Sequence, residues 1–250
     1  MIARITSLAA IGLVVAAAVP VSRPADIHGE WVKYAGAGGD SVLAYLAFPE
    51  RPDPAPAVIV IHENRGMTDW IQTVADSLAT AGFVAIAPDL LSRRGGTAAQ
   101  DDVRRALSGL PPDSITTDLD ATYTFLRTVQ AVRADAVGVV GFCWGGSQSF
   151  RYATNNPALR AAVVCYGSGP NAADVTRIGA PVFGVYGQND ARINAGIPET
   201  EQAMAAAGKT YMKTIYPGAG HAFLRTREPA ESAAAAWRDI VGFLEKELGR

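Results

Sequence analysis

The sequence predicts a single α/β domain built on a mostly parallel, doubly wound sheet. Three observations carry this reading. Short, continuously apolar, β-branched runs recur along the chain. Stretches with helical spacing lie between them. No composition break or long linker divides the 250 residues, which suffice for one large domain and are too few for two of ordinary size.

The apolar runs are 57–62 (AVIVIH), 83–88 (FVAIAP), 137–142 (VGVVGF), 161–166 (AAVVCY) and 182–186 (VFGVY). Their lack of polar alternation fits strands covered on both faces, as parallel sheets require. Residues 42–48 predict an earlier antiparallel strand, and 213–216 a late one. Helical patterns cover 70–81, 98–107, 115–129, 144–154 and 229–248; the last carries Trp237, Ile240, Val241 and Leu244 on one stripe. Segment 49–56 holds four prolines and predicts a turn between strands. Segments 93–100 and 190–198 predict polar loops. Strand–helix alternation implies right-handed crossovers, and in such sheets ligands bind beyond the carboxyl ends of the strands. Chemistry is therefore sought just after each strand.

The N-terminus reads differently. Arg4 precedes an apolar run from Ile5 to Val19 that closes on Ala16, Ala17 and Ala18, and Arg23, Pro24 and Asp26 follow. This order predicts a secretory signal peptide over 1–18, cleaved near Ala18, and a mature domain over 19–250 exported to the periplasm. The run is shorter than the ~20 residues of a spanning helix. An uncleaved anchor or a form without export are the alternatives.

Apolar residues make up 49%, charged residues 18%, and the net charge is −2. Nothing in that balance points to a nucleic-acid partner. Nucleotide-binding glycine loops, zinc-protease helices and paired CxxC motifs are absent from the sequence. The three histidines fall in separate motifs, so no metal or cofactor is expected, and a monomer acting on a small molecule is.

The sharpest motif is Gly141-Phe142-Cys143-Trp144-Gly145-Gly146, which ends a strand and opens a helix. A nucleophile on so sharp a turn needs small neighbours, and the helix start favours a thiolate. The amide of Trp144 then faces a developing oxyanion, and that of Asn64, in the loop after the 57–62 strand, is the second candidate donor. Asp190 follows the 182–186 strand and can orient an imidazole, although a turn-forming Asp is common there. His221 stands in a glycine-rich loop before the last helix and is the candidate base. His62 reads either as a core residue bonded to backbone or as part of the site wall. Nucleophile, acid and histidine follow one another in the chain order of α/β-hydrolases.

Together, HENRG at 62–66, APDLLSRRG at 87–95, GFCWGG at 141–146, GQND at 187–190 and GAGHAFLR at 218–225 resemble the dienelactone hydrolases, or carboxymethylenebutenolidases, a family of α/β-hydrolases. The resemblance runs from Trp31 to Leu248. It implies a Cys143–His221–Asp190 triad and a thioacyl-enzyme formed from an ester or lactone. It also implies that Glu63 holds the resting thiol, and that Arg93 and Arg225 surround a substrate carboxylate and that glutamate. Ala222 departs from the serine often found after the histidine in that family, and the export signal departs from its cytoplasmic setting. Acyl transfer or thioester cleavage by the same triad, and a non-catalytic binding protein on this scaffold, are the competing readings.

Overall fold

The computed structural model describes residues 26–250. The signal-peptide segment at 1–18 lies outside them. The chain folds around one eight-stranded sheet. Its strands are β1 (Ile27–Ala35), β2 (Ser41–Pro49), β3 (Ala55–Ile61), β4 (Val84–Pro88), β5 (Val132–Phe142), β6 (Ala161–Cys165), β7 (Val182–Gly187) and β8 (Tyr211–Tyr216). They lie in the order β1-β2-β4-β3-β5-β6-β7-β8. β1 and β2 pair antiparallel, β2 pairs antiparallel with β4, and every later pairing is parallel. The predicted sheet and the antiparallel start are both present.

Among the described residues, eight α-helices connect or follow the strands: α1 (Asp69–Thr80), α2 (Val103–Ser108), α3 (Pro112–Leu126), α4 (Trp144–Asn155), α5 (Ala191–Asn194), α6 (Ile197–Ala206), α7 (Phe223–Thr226) and α8 (Ala230–Leu248). Side chains of alternate parity on the strands meet different helices. Val58, Val60, Val163 and Val185 face a core shared with α1 and α8. Ile59, Ile61, Ala162 and Val164 face one shared with α3, α4 and α6. Both faces are therefore covered, which is why the strands read as unbroken apolar runs.

Three differences from the sequence reading have local causes. β1 escapes notice because it is an edge strand with mostly exposed side chains and no apolar run. The helix expected over 98–107 begins only at Val103, because the Asp102 carboxylate caps it by accepting from the Arg105 amide at 3.0 Å. Upstream, Gly95 and Gly96 hold φ of 86° and 88°, which no helix continues through. The loop expected over 190–198 is largely helical: α5 starts directly after Asp190, and Pro198 sits in the first turn of α6, where its missing N–H costs nothing.

Candidate active site

β5 delivers Cys143 to the carboxyl edge of the sheet. There the chain reverses into α4 with Cys143 at φ 57°, ψ −116°, a conformation that a non-glycine residue holds only under constraint. A Cβ at Gly141 would overlap the Gly145 carbonyl, and one at Gly145 would overlap the carbonyls of Ile61 and His62. The glycines thus allow strand, helix and neighbouring loop to approach closely. The Cys143 amide donates to the Cys165 carbonyl on β6 at 3.0 Å, which pins the turn.

His221 reaches this turn from the loop after β8. Its Nε2 lies 3.0 Å from Cys143 Sγ, and its Nδ1 donates to Asp190 Oδ2 at 2.5 Å. The Asp190 side chain is only 5% exposed, so the pair is sheltered. The hydrogen bond with Cys143, together with Asp190, raises the His221 pKa to about 9 against the opposing effect of burial. The imidazole is oriented at one nitrogen and presented to sulfur at the other.

His62 takes the core role among its two readings. It is fully buried, donates from Nδ1 to the Glu63 carbonyl at 2.8 Å, and accepts the Leu90 amide at Nε2 at 3.3 Å. Burial lowers its pKa, which keeps the ring neutral for this bonding. It stacks on Trp144 with centroids 5.5 Å apart, so it also fixes one wall of the site. The loop it anchors carries Asn64 to a cavity of about 560 Å³ that Cys143, Trp144, Tyr166 and His221 also line. Trp144 is the first residue of α4, so its amide has no carbonyl partner within the helix.

Glu63 is bonded differently from expectation. Its buried carboxylate accepts from Arg225 Nε at 2.8 Å, whereas the thiol of Cys143 meets His221. Arg225 belongs to the short α7 immediately after His221, and an arginine–carboxylate hydrogen bond is stronger than one from a thiol. Arg225 therefore binds the glutamate, as one half of its expected role.

Arg93 must be corrected. It turns away from the cavity and grips Asp118 of α3, with Nε 2.8 Å and Nη2 2.6 Å from Oδ1, and it also pairs with Asp40. Asp118 is almost fully buried, and a buried carboxylate requires a charged partner. The cavity instead takes its positive charge from Arg104 and Arg105 of α2 and Arg192 of α5, and no acidic side chain lines it. Sequence reasoning missed these three. Arg192, two residues past Asp190 at a strand end, carried a usable positional signal; the α2 pair carried none. Tyr166 was read only as the end of a strand.

Among the described residues, no group of three or more His, Cys, Asp or Glu side chains could hold a metal ion. Nor is any helix there long and apolar enough to cross a membrane. A more apolar groove of about 300 Å³ between α1 and α8, flanked by Trp70 and Trp237, is lined by no cysteine, histidine or carboxylate.

Comparison with known proteins agrees with this geometry. Residues 42–248 match the profile of the dienelactone hydrolase family. A Methylorubrum extorquens protein named, by inference, a carboxymethylenebutenolidase is 36% identical over 80% of this chain and 76% of its own. One of Escherichia coli K12 with the same inferred name is 34% identical over 85% of each. A crystal structure from Klebsiella pneumoniae, named by inference as a dienelactone hydrolase, superimposes with a TM-score of 0.80 at 30% identity, covering 88% of this chain and 98% of that one. A strained cysteine elbow on an α/β-hydrolase sheet and this similarity along most of the chain agree: the protein is a carboxylic ester hydrolase belonging to the dienelactone hydrolase family.

Proposed function

We propose that the protein cleaves esters or lactones bearing an anionic acyl group through a Cys143–His221–Asp190 triad and a thioacyl-enzyme. The observation that carries this reading is the continuous chain of contacts from Cys143 Sγ to His221 Nε2 at 3.0 Å and from His221 Nδ1 to Asp190 at 2.5 Å, at the wall of an open cavity. His221 holds the thiol proton as an imidazolium, and the thiolate sulfur so released attacks the carbonyl carbon. Asp190 stabilises the imidazolium so formed. The amides of Trp144 and Asn64 donate to the oxyanion. The carbon–oxygen bond then breaks, and His221 returns the proton to the leaving oxygen. Water, deprotonated by His221, attacks the thioester and releases the acid and the thiol.

The preference for an anion comes from Arg104, Arg105 and Arg192, which have no ion-pair partner among the described residues. Unpaired guanidinium groups facing a cavity without acidic side chains favour a carboxylate, which they can bind through two parallel hydrogen bonds.

The test is a panel of esters and lactones, with and without an acyl-side carboxylate, run on wild type and Cys143→Ala. Intact-mass measurement during turnover should show an acyl adduct that maps to Cys143. Turnover that survives in Cys143→Ala would remove the cysteine from the reaction.

A further inference from the structure

Asp89 is a buried carboxylate that the reaction above does not use. It follows Pro88, the last residue of β4, and β4 lies beside β3, whose carboxyl end leads to Asn64. Its oxygens accept from the Leu91 amide at 3.0 Å, the Thr97 amide at 2.6 Å and the Thr97 hydroxyl at 2.9 Å. Thr97 is thereby oriented twice, at its backbone and at its side chain. A hydroxyl has one proton to give, and this one goes to Asp89. The lone pairs of the oxygen are left for the Met67 amide, which donates to it at 3.0 Å across 30 positions of sequence.

Met67 directly follows the turn that holds the candidate oxyanion donor. The Gly66 amide donates to the Glu63 carbonyl at 3.1 Å, which closes a turn over 63–66 with Asn64 and Arg65 between its ends. Asn64 lines the cavity that holds Cys143. His62 fixes one end of the turn by donating from Nδ1 to the Glu63 carbonyl at 2.8 Å. Thr97 fixes the other, in an approach so close that a Cβ on Gly66 would stand 2.3 Å from the Thr97 hydroxyl oxygen. An oxyanion donor contributes when its N–H already points to where the charge develops. The two residues between the ends keep that aim when both ends are held.

On the reading that the Asn64 amide stabilises the oxyanion formed at Cys143, we propose that Thr97 is a positioning residue for that amide: its hydroxyl, oriented by Asp89, holds Met67 and so keeps the Asn64 N–H aimed at the substrate carbonyl oxygen. Thr97 is not among the residues lining the cavity, so it acts through the turn alone. Its removal should therefore slow steps that build an oxyanion and spare attack by the same sulfur on a saturated carbon.

Two reactions of Cys143 separate these cases. Acylation by 4-nitrophenyl acetate passes through a tetrahedral oxyanion. Alkylation by iodoacetamide displaces iodide from a saturated carbon and forms none. Thr97→Val keeps the shape of the side chain and removes the hydroxyl. It should lower kcat/KM on the ester about tenfold, a part of the roughly 10²–10³ lost with a whole donor. The alkylation rate, which follows the thiolate, should stay within about twofold of wild type. Thr97→Ser retains the hydroxyl and should recover the esterase rate to within about threefold of wild type. Equal losses in both reactions overturn the proposal, as does an unchanged esterase rate or a Thr97→Ser no better than Thr97→Val. If Thr97→Val does not fold, Thr97→Ala is judged by the same pair of rates. Failure of both to fold assigns the hydroxyl to stability and also overturns the proposal. If the wild type forms no acyl adduct on Cys143, the hydrolase mechanism itself fails. An adduct that forms while Thr97→Val shows no selective loss rejects the role of Thr97 alone.

Discussion

Arg225 holds Glu63 by a 2.8 Å hydrogen bond from Nε to Oε2, with the carboxylate side chain 5% exposed and the guanidinium side chain 31% exposed. The two residues lie 162 positions apart in sequence, and the bond ties the loop after β3 to the segment carrying His221. It therefore couples the candidate oxyanion donor to the base.

The unequal burial of that pair predicts unequal mutants. Arg225→Ala strands a buried carboxylate and should cost about 2–4 kcal/mol in urea denaturation. Glu63→Gln leaves a partly solvated guanidinium beside a neutral acceptor and should cost about 1 kcal/mol. Equal costs would show that the two charges are not desolvated to different degrees.

Arg93 and the cavity arginines should separate stability from specificity. Arg93→Ala removes the grip on buried Asp118 and should destabilise by about 2–3 kcal/mol, while changing kcat/KM equally for anionic and neutral esters. Arg104→Ala and Arg192→Ala should leave stability within about 0.5 kcal/mol. Each should lower kcat/KM about fivefold to tenfold on carboxylated substrates only. Selective damage to anionic substrates in Arg93→Ala would restore the expectation drawn from the family resemblance.

The pH dependence follows from His221, whose pKa is raised from 6.5 to about 9 in the folded protein. A group raised in this way contributes stability that is fully present below pH 6.5 and lost as pH rises through about 9. The imidazolium is also the proton donor to the leaving oxygen, so acylation should fall on an alkaline limb near the same pH. Asp190→Asn removes one cause of the raised pKa and should move that limb downward, as NMR titration of the His221 ring would register directly.

The two cysteines should differ in reactivity. Both are free thiols; Cys143 reaches the cavity, whereas Cys165 is fully buried and its pKa is pushed up by burial. Brief iodoacetamide treatment of native protein, followed by peptide mass mapping, should place the label on Cys143. Comparable labelling of Cys165 would mean that β6 opens readily.

Export remains a proposal carried by the sequence of residues 1–18. Protein recovered from the periplasm of an expressing Gram-negative cell should begin near Val19 on N-terminal sequencing. Recovery of membrane-bound protein retaining Met1 would favour the anchored alternative.

Local pattern was enough to read most of the scaffold. Unbroken apolar runs located the strands from β3 to β7, because a strand covered on both faces tolerates few polar side chains. The GFCWGG motif announced the elbow, because only glycine admits the close passage of strand and helix around Cys143. Chain order also put Asp190 and His221 forward as partners of that cysteine. The arginines were another matter. Arg93 lies 25 residues from Asp118 and 53 from Asp40, and nothing in its own neighbourhood reveals that α3 buries a carboxylate beside it. Arg104 and Arg105 look like a solvated helix face until the fold turns that face over Cys143. Tyr166 looks like the last residue of an apolar strand until its hydroxyl is seen to lack a partner. Backbone conformation and burial depend on periodicity and neighbouring residues, which a sequence displays. The partner of a charge or hydroxyl depends on which distant segments the packed sheet brings within 3 Å, and only the tertiary structure decides that.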